Sequence, residues 1–157
     1  MNQKVFTVDE IKKKLEYYCV YQDRCHQEVE KKLTEYRVIP EARELILLHL
    51  MQHNFLNEER FAKSFARGKF RIKQWGKKRI IQELKFKDIS EYNIKTALKE
   101  IDEEEYLEVL KRIALSKVKT IQEKNSYLRK QKLYQHLYRK GYESNLISEV
   151  IKEIDKE

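Results

Sequence analysis

The chain predicts an all-α protein, an elongated and curved array of three tandem three-helix repeats. Three observations lead there. Lys, Glu, Leu, Ile, Gln and Arg dominate the 157 residues, and all of these except Ile are strong helix formers. One Pro and three Gly leave few tight turns. Above all, six apolar positions recur in one spacing. Val29, Leu33, Val38, Ile46, Leu47 and Leu50 are followed 51 residues on by Ile80, Leu84, Ile89, Ala97, Leu98 and Ile101. A further 53 residues on stand Leu133, Leu137, Tyr142, Val150, Ile151 and Ile154. The charged positions between them do not recur, so a fold is repeated with its identity largely lost. The units read as 1–53, 54–101 and 102–157. Stacked neighbour on neighbour, they predict an extended body with no single globular centre.

Thr7-Val-Asp-Glu10 has the form of a capping box and opens a first helix with Ile11, Leu15 and Tyr18 on one stripe. A second helix starts near Gln27, turns Val29, Leu33 and Tyr36 inward, and stops near Val38, because Ile39 precedes Pro40. Pro40 suits the first turn of a third helix. That helix carries Leu45, Ile46, Leu47, Leu48 and Leu50, apolar on most sides, and is expected to be the most buried segment.

In the second unit, Asn57-Glu-Glu supplies a cap and two acids at a helix start, with Phe61 and Phe65 one turn apart inside. Gly68 and Gly76 are expected to flank a basic, aromatic connector, after which Ile80, Ile81 and Leu84 form the next stripe. Ser90-Glu91 opens the third helix of that unit. Asp102 and three glutamates open the third unit, whose first helix runs through Tyr106, Leu110, Ile113 and Val118. Its second helix bears Leu133, Tyr134, Leu137 and Tyr138 and ends at Gly141, a residue suited to a left-handed cap.

Several function classes are disfavoured. Cys19 and Cys25 are too few for a disulfide scaffold and wrongly spaced for zinc. No apolar run approaches the roughly 18 residues of a membrane span, and MNQKVFTVDEIKKK lacks the apolar core of a signal peptide. No glycine-rich phosphate loop, metal cluster or nucleophile elbow stands out. The expectation is a cytoplasmic, monomeric, non-enzymatic protein with no cofactor and no metal.

Charge is what the chain concentrates. Between Arg60 and Lys87 lie eleven Lys or Arg and one acid, a net +10, where the whole chain is only +8. Residues 111–140 carry ten bases and one acid, whereas 88–110 carry two bases and eight acids. The positive field therefore falls on the first two helices of units two and three, and attracts polyanions or acidic protein surfaces.

The segment Phe55-Leu-Asn-Glu-Glu-Arg-Phe-Ala62, followed by Gln74-Trp-Gly-Lys-Lys-Arg-Ile-Ile-Gln-Glu-Leu84, resembles the signature of the RecX family. Tyr138-Arg-Lys-Gly-Tyr142, followed by Leu146 and Val150, is similar to the closing repeat of that family. The likeness spans essentially the whole chain, strongest in the middle unit. The first unit has no counterpart of Trp75-Gly76, and the third has a connector about eight residues longer. The resemblance implies a regulator that binds the RecA recombinase or its filament on single-stranded DNA. Such a protein restrains ATP hydrolysis and strand exchange, and so modulates recombination, DNA repair and the SOS response. The competing reading is a module that binds single-stranded or duplex DNA directly, without RecA.

The partner-binding candidates are Lys63, Arg67, Lys69, Arg71, Lys73, Lys77, Lys78, Arg79, Lys85 and Lys87, joined by Arg129, Lys130, Arg139 and Lys140. The bland reading of any charge run is a solvated face; the imbalance against the rest of the chain favours an interaction surface. Lys78, Gln82 and Lys85 share a helix face opposite Ile80 and Leu84. Phe61, Trp75, Gly76, Ile80 and Leu84 are structural candidates. Trp75 is either a wedge between two helices with Gly76 at a close contact, or an exposed anchor. Glu59, Arg60 and Glu83 suggest an ion pair inside the middle unit. His49 and His53, four apart, read as packing residues rather than ligands, since no third ligand is evident. Tyr127, Tyr134 and Tyr138 either stack on bases or sit half in the core.

Overall fold

The computed structural model describes residues 5–156. Met1–Lys4, on which part of the signal-peptide reading rests, and Glu157 lie outside the described residues. Among the described residues there are nine helices and no strand: α1 (Val8–Tyr21), α2 (His26–Glu35), α3 (Pro40–Gln52), α4 (Glu58–Arg71), α5 (Lys77–Phe86), α6 (Glu91–Leu98), α7 (Glu103–Val118), α8 (Ser126–Lys140) and α9 (Ser144–Asp155). None is long and apolar enough to cross a membrane.

Each start has a local cause. Thr7 closes its capping box with Glu10, and Pro40 occupies the first turn of α3. Asn57, Ser90, Asp102 and Asn125 each accept a backbone N–H at a helix start. The second helix of every unit ends in a left-handed residue one or two positions on: Arg37 at φ 56°, Asp88 at φ 59° and Gly141 at φ 105°. Only the last is glycine. A Cβ in this region costs about 1–2 kcal/mol, partly offset by the greater chain entropy that glycine loses on folding. Arg37→Gly is therefore expected to stabilise the fold by about 0.5–1 kcal/mol. An unchanged or lower midpoint in urea would contradict that assignment of strain.

The repeat pattern is realised in packing. Of the eighteen recurrent apolar positions thirteen are buried, and the other five (Val38, Leu47, Leu98, Ile151 and Ile154) pack against a core. The cores number two. One lies under α1–α3 and includes Ile11, Leu15, Cys19, Ile46 and Leu50. The other runs continuously through α4–α9, from Phe61 to Val150. Phe55 and Leu56 turn back onto the first core, their N–H groups donating to the Leu50 carbonyl at 2.8 and 3.0 Å. The accessible surface is 10,874 Å², where a compact monomer of 19.2 kDa would expose about 8,400 Å². That excess is what an extended stack of small units requires.

Three expectations are corrected. The α3 helix is not the most buried segment: Leu45, Leu48 and Met51 face solvent, because α3 packs on α1 and none of the described elements covers its outer side. Gly68 does not flank a connector but lies inside α4, with open space where a Cβ would go. The ion pair predicted within the middle unit is replaced by two others. Glu59 pairs with Lys63 at 3.1 Å one turn along α4. Arg60 reaches Asp23 of the first unit at 2.8 Å and also donates to the Phe55 carbonyl.

Cys19 and Cys25 are buried and unpaired, and burial pushes both thiols up to about 11. Cys25 is nonetheless at work structurally. It is the N-cap of α2, and it inserts into the core of α4–α9.

Candidate interaction surface at the junction of the second and third units

The junction is built on glycine. Gly76 is the N-cap of α5, and any Cβ on it would lie within 3.0 Å of the Gly141 carbonyl carbon and oxygen and the Tyr142 nitrogen. That approach lets the Gly76 N–H donate to the Lys140 carbonyl at 2.7 Å and the Lys78 N–H to the Gly141 carbonyl at 2.9 Å. Gly141 in turn has no room for a side chain against Arg79. Beside it, the Tyr142 hydroxyl donates to the Gln74 carbonyl at 3.0 Å. The Tyr106 hydroxyl accepts from the Lys77 N–H at 2.9 Å and donates to the Glu143 carboxylate. Burial, then the Glu143 hydrogen bond, push the Tyr106 phenol far above its ordinary range, so it stays a neutral relay.

This seam brings the N-terminal end of α5 against the C-terminal end of α8 and leaves a groove of about 510 Å³ between them. Lys78, Arg79, Lys85 and Arg139 line it, with Tyr138 on its wall and Glu83 as its one acid. Lys78, Lys85 and Arg139 are exposed, and none has an ion-pair partner among the described residues. The positive charge and burial act on its neighbours. His136 is held below its ordinary value by burial and then by Lys117, Lys140 and Arg139. Lys140 is lowered by burial and then by Arg79.

The other predicted basic residues sort by their partners. Lys77 is tied to Glu103 and lies 4.7 Å from the centre of the Tyr106 ring, its side chain only 16% exposed. Arg67 pairs with Glu100 at 3.1 Å, Lys63 with Glu59, and Lys130 with Asp155. Arg129 donates to the Glu123 carbonyl and Lys140 to the Lys73 carbonyl. Lys69, Arg79 and Lys87 stand over aromatic rings, and Arg71 and Lys73 are exposed beyond the end of the α4 core face. Apart from Lys63, whose acid stands one turn back on the same helix, sequence reasoning had no signal for this division, because it depends on which acids the neighbouring helices bring up.

Phe61, Ile80 and Leu84 are buried in the α4–α9 core. Trp75 is half-buried between α4 and α5, edge-on to Phe65 at 6.3 Å, with the Arg79 guanidinium 4.1 Å from its ring centre. Tyr134 is half-buried and donates to Ser144, while Tyr138 stacks on it at 6.1 Å and faces out toward Lys78. Tyr127 is exposed. His49 lies 2.9 Å from Glu16 and 4.5 Å, ring to ring, from His53. Among the described residues no group of three metal-ligating side chains is present.

What the fold and the seam define is a repeat protein of three-helix units that presents a cationic groove where two units meet. Family models for the second and third three-helix domains of RecX match residues 57–98 and 103–151. The chain belongs to the RecX family. It is 30% identical over 149 residues to the regulatory protein RecX of Enterococcus faecalis, covering 89% of this chain and 56% of that protein. With the regulatory protein RecX of Lactobacillus gasseri it shares 27% identity over 140 residues, covering 89% and 52%. The chain thus spans about half the length of the curated relatives it matches. Among solved structures, a crystal structure of a regulatory protein RecX superposes with a TM-score of 0.80 at 29% identity, over 92% of this chain and 74% of that one. RecX from Lactobacillus salivarius superposes at 0.84 over 96% and 97%; at 23% identity this speaks to the fold alone.

Proposed function

We propose that this chain regulates the RecA recombinase. It binds RecA or its filament on single-stranded DNA, inhibits ATP hydrolysis and strand exchange, and so modulates recombination and DNA repair in the cytoplasm, with no catalytic centre of its own. The observation that carries this reading is the groove between α5 and α8, whose exposed cations Lys78, Lys85 and Arg139 make no ion pair among the described residues. It lies on the two units that match the family models. An unneutralised cationic groove in an extended helical body suits a surface of acidic side chains and phosphates. The units are taken as residues 1–53, 54–101 and 102–157, acting as a monomer.

The test adds the protein to RecA on single-stranded DNA and follows ATP hydrolysis and filament length. Both are expected to fall as the protein approaches the concentration of RecA. Hydrolysis and length unchanged at equal concentrations would overturn the reading.

A further inference from the structure

A second groove, between α1 and α2 of the first unit, has no part in that reading. We propose that it binds a segment of single-stranded nucleic acid, stacking bases on tyrosine and holding phosphates with lysine and arginine. The groove encloses about 620 Å³, within the range of ligand sites, about 300–1,000 Å³. Apart from Leu15, its lining is four tyrosines and four bases; Arg24 and Lys32 pair with Glu28 at 3.5 Å and Glu35 at 3.2 Å, while Lys13 and Lys14 make no ion pair among the described residues. Lys13, Tyr17 and Tyr21 follow one another at helical spacing along an exposed edge of α1. Both tyrosines are more than two-thirds exposed, an uncommon state for large rings that pack on nothing.

The repeat indicates what kind of group suits the space. An offset of 51 relates the N-caps Cys25 and Gly76, the left-handed residues Arg37 and Asp88, and the buried triplets Ile11, Leu15, Cys19 and Ala62, Ala66, Phe70. By that offset Arg24 stands at the place of Trp75. In the second unit the indole fills the space between the two helices, with the Lys69 ammonium 5.0 Å from its ring centre and the Arg79 guanidinium 4.1 Å away. In the first unit Arg24 is drawn against one wall. Its guanidinium lies 3.7 Å from the Tyr18 ring centre and 3.5 Å from the carboxylate of Glu28, which stands at the place of Arg79, and its Nε donates to the Tyr18 carbonyl at 3.0 Å. The groove stays open. A planar ring carrying anionic groups on either side complements it, and a nucleobase with its phosphates is such a group. An acidic peptide would satisfy the cations and leave the tyrosine faces uncovered.

The test is fluorescence anisotropy of a short labelled oligothymidylate with the full chain and no recombinase, at low and at physiological salt. Tyr17→Ala and Tyr21→Ala are each expected to weaken binding about five- to hundredfold, the loss of one stacking platform. Tyr17→Phe should bind as wild type, and all three should melt as wild type because the side chains are exposed. An abasic oligomer of equal length should bind wild type no better than the double alanine variant binds oligothymidylate. Undiminished binding by the alanine variants, or equal binding of the abasic strand, overturns the proposal. So does displacement of the strand by polyglutamate or thymidine monophosphate as effectively as by unlabelled strand. Because recombinase is absent, failure here leaves the RecA reading standing, and failure of the RecA assay leaves this one standing.

Discussion

Gly76→Ala destabilises the protein by about 3 kcal/mol, the upper part of the range for overpacking, and lowers the thermal midpoint by about 6–12 °C for a chain of this size. The cause is that the three nearest atoms the new methyl would meet are all backbone: the Gly141 carbonyl carbon and oxygen and the Tyr142 nitrogen. A flexible side chain could swing aside, but these atoms are held by the Gly76–Lys140 and Lys78–Gly141 hydrogen bonds and by the left-handed turn at Gly141. Relief means parting α5 from the end of α8, which loosens Tyr106 and Tyr142 in the shared core. Gly68→Ala is the control. Its Cβ meets nothing within 4 Å inside α4, so that change should stabilise by about 0.5–1 kcal/mol through helix propensity. Calorimetry on the two variants reads both signs. A Gly76→Ala protein that melts with wild type would mean that the seam is not closed by this contact.

Reversing charge together at Lys78, Lys85 and Arg139 is expected to abolish the proposed inhibition of RecA while leaving the melt within a few degrees of wild type. None of the three has an ion-pair partner among the described residues, and all are exposed, so each should move stability by no more than about 0.5 kcal/mol. At a partner that presents anions, each reversed charge costs at least about 1 kcal/mol even at the dielectric of water. The protein needed for half-inhibition should then rise roughly a hundredfold or more. Lys77→Glu makes the contrast: that ammonium sits on the Tyr106 ring beside Glu103, so its reversal should lower the melt as well. Full inhibition by the triple variant would move the binding surface away from this groove.

Helix starts and core faces were legible in the sequence because their causes are local. A Thr-x-x-Glu box, a proline or an Asn-Glu-Glu run acts within one turn, and the recurrence of six apolar positions carried the fold from one unit to the next. Burial of α3 was misread for the same reason: five apolar residues make a helix look enclosed, and only the array decides that its outer side has no neighbour. The seam at Gly76 was out of reach, since a glycine marks a close approach without naming its partner, and Gly141 is 65 residues away. So too with the cations. Lys77 and Lys78 are neighbours in an unbroken basic run, yet one is pinned to Glu103 and the other faces an open groove.

The two junctions of the array repeat one register with different materials. At the second, positions 76 and 78 bond through backbone to Lys140 and Gly141. At the first, 51 residues earlier, Gln27 reaches the Phe86 carbonyl at 3.1 Å and the Asp88 carboxylate at 3.0 Å with its side chain, and Arg60 clasps Asp23. Peptide groups locked to peptide groups through glycine have little play, whereas side-chain amides and guanidinium groups can pivot over several rotamers. The second and third units are expected to move as one stiff beam and the first as an arm on a more compliant joint, held there by these side chains and by the buried Cys25. Bending of the molecule along a curved partner should therefore fall near Cys25 and Asp88, leaving the cationic groove undistorted.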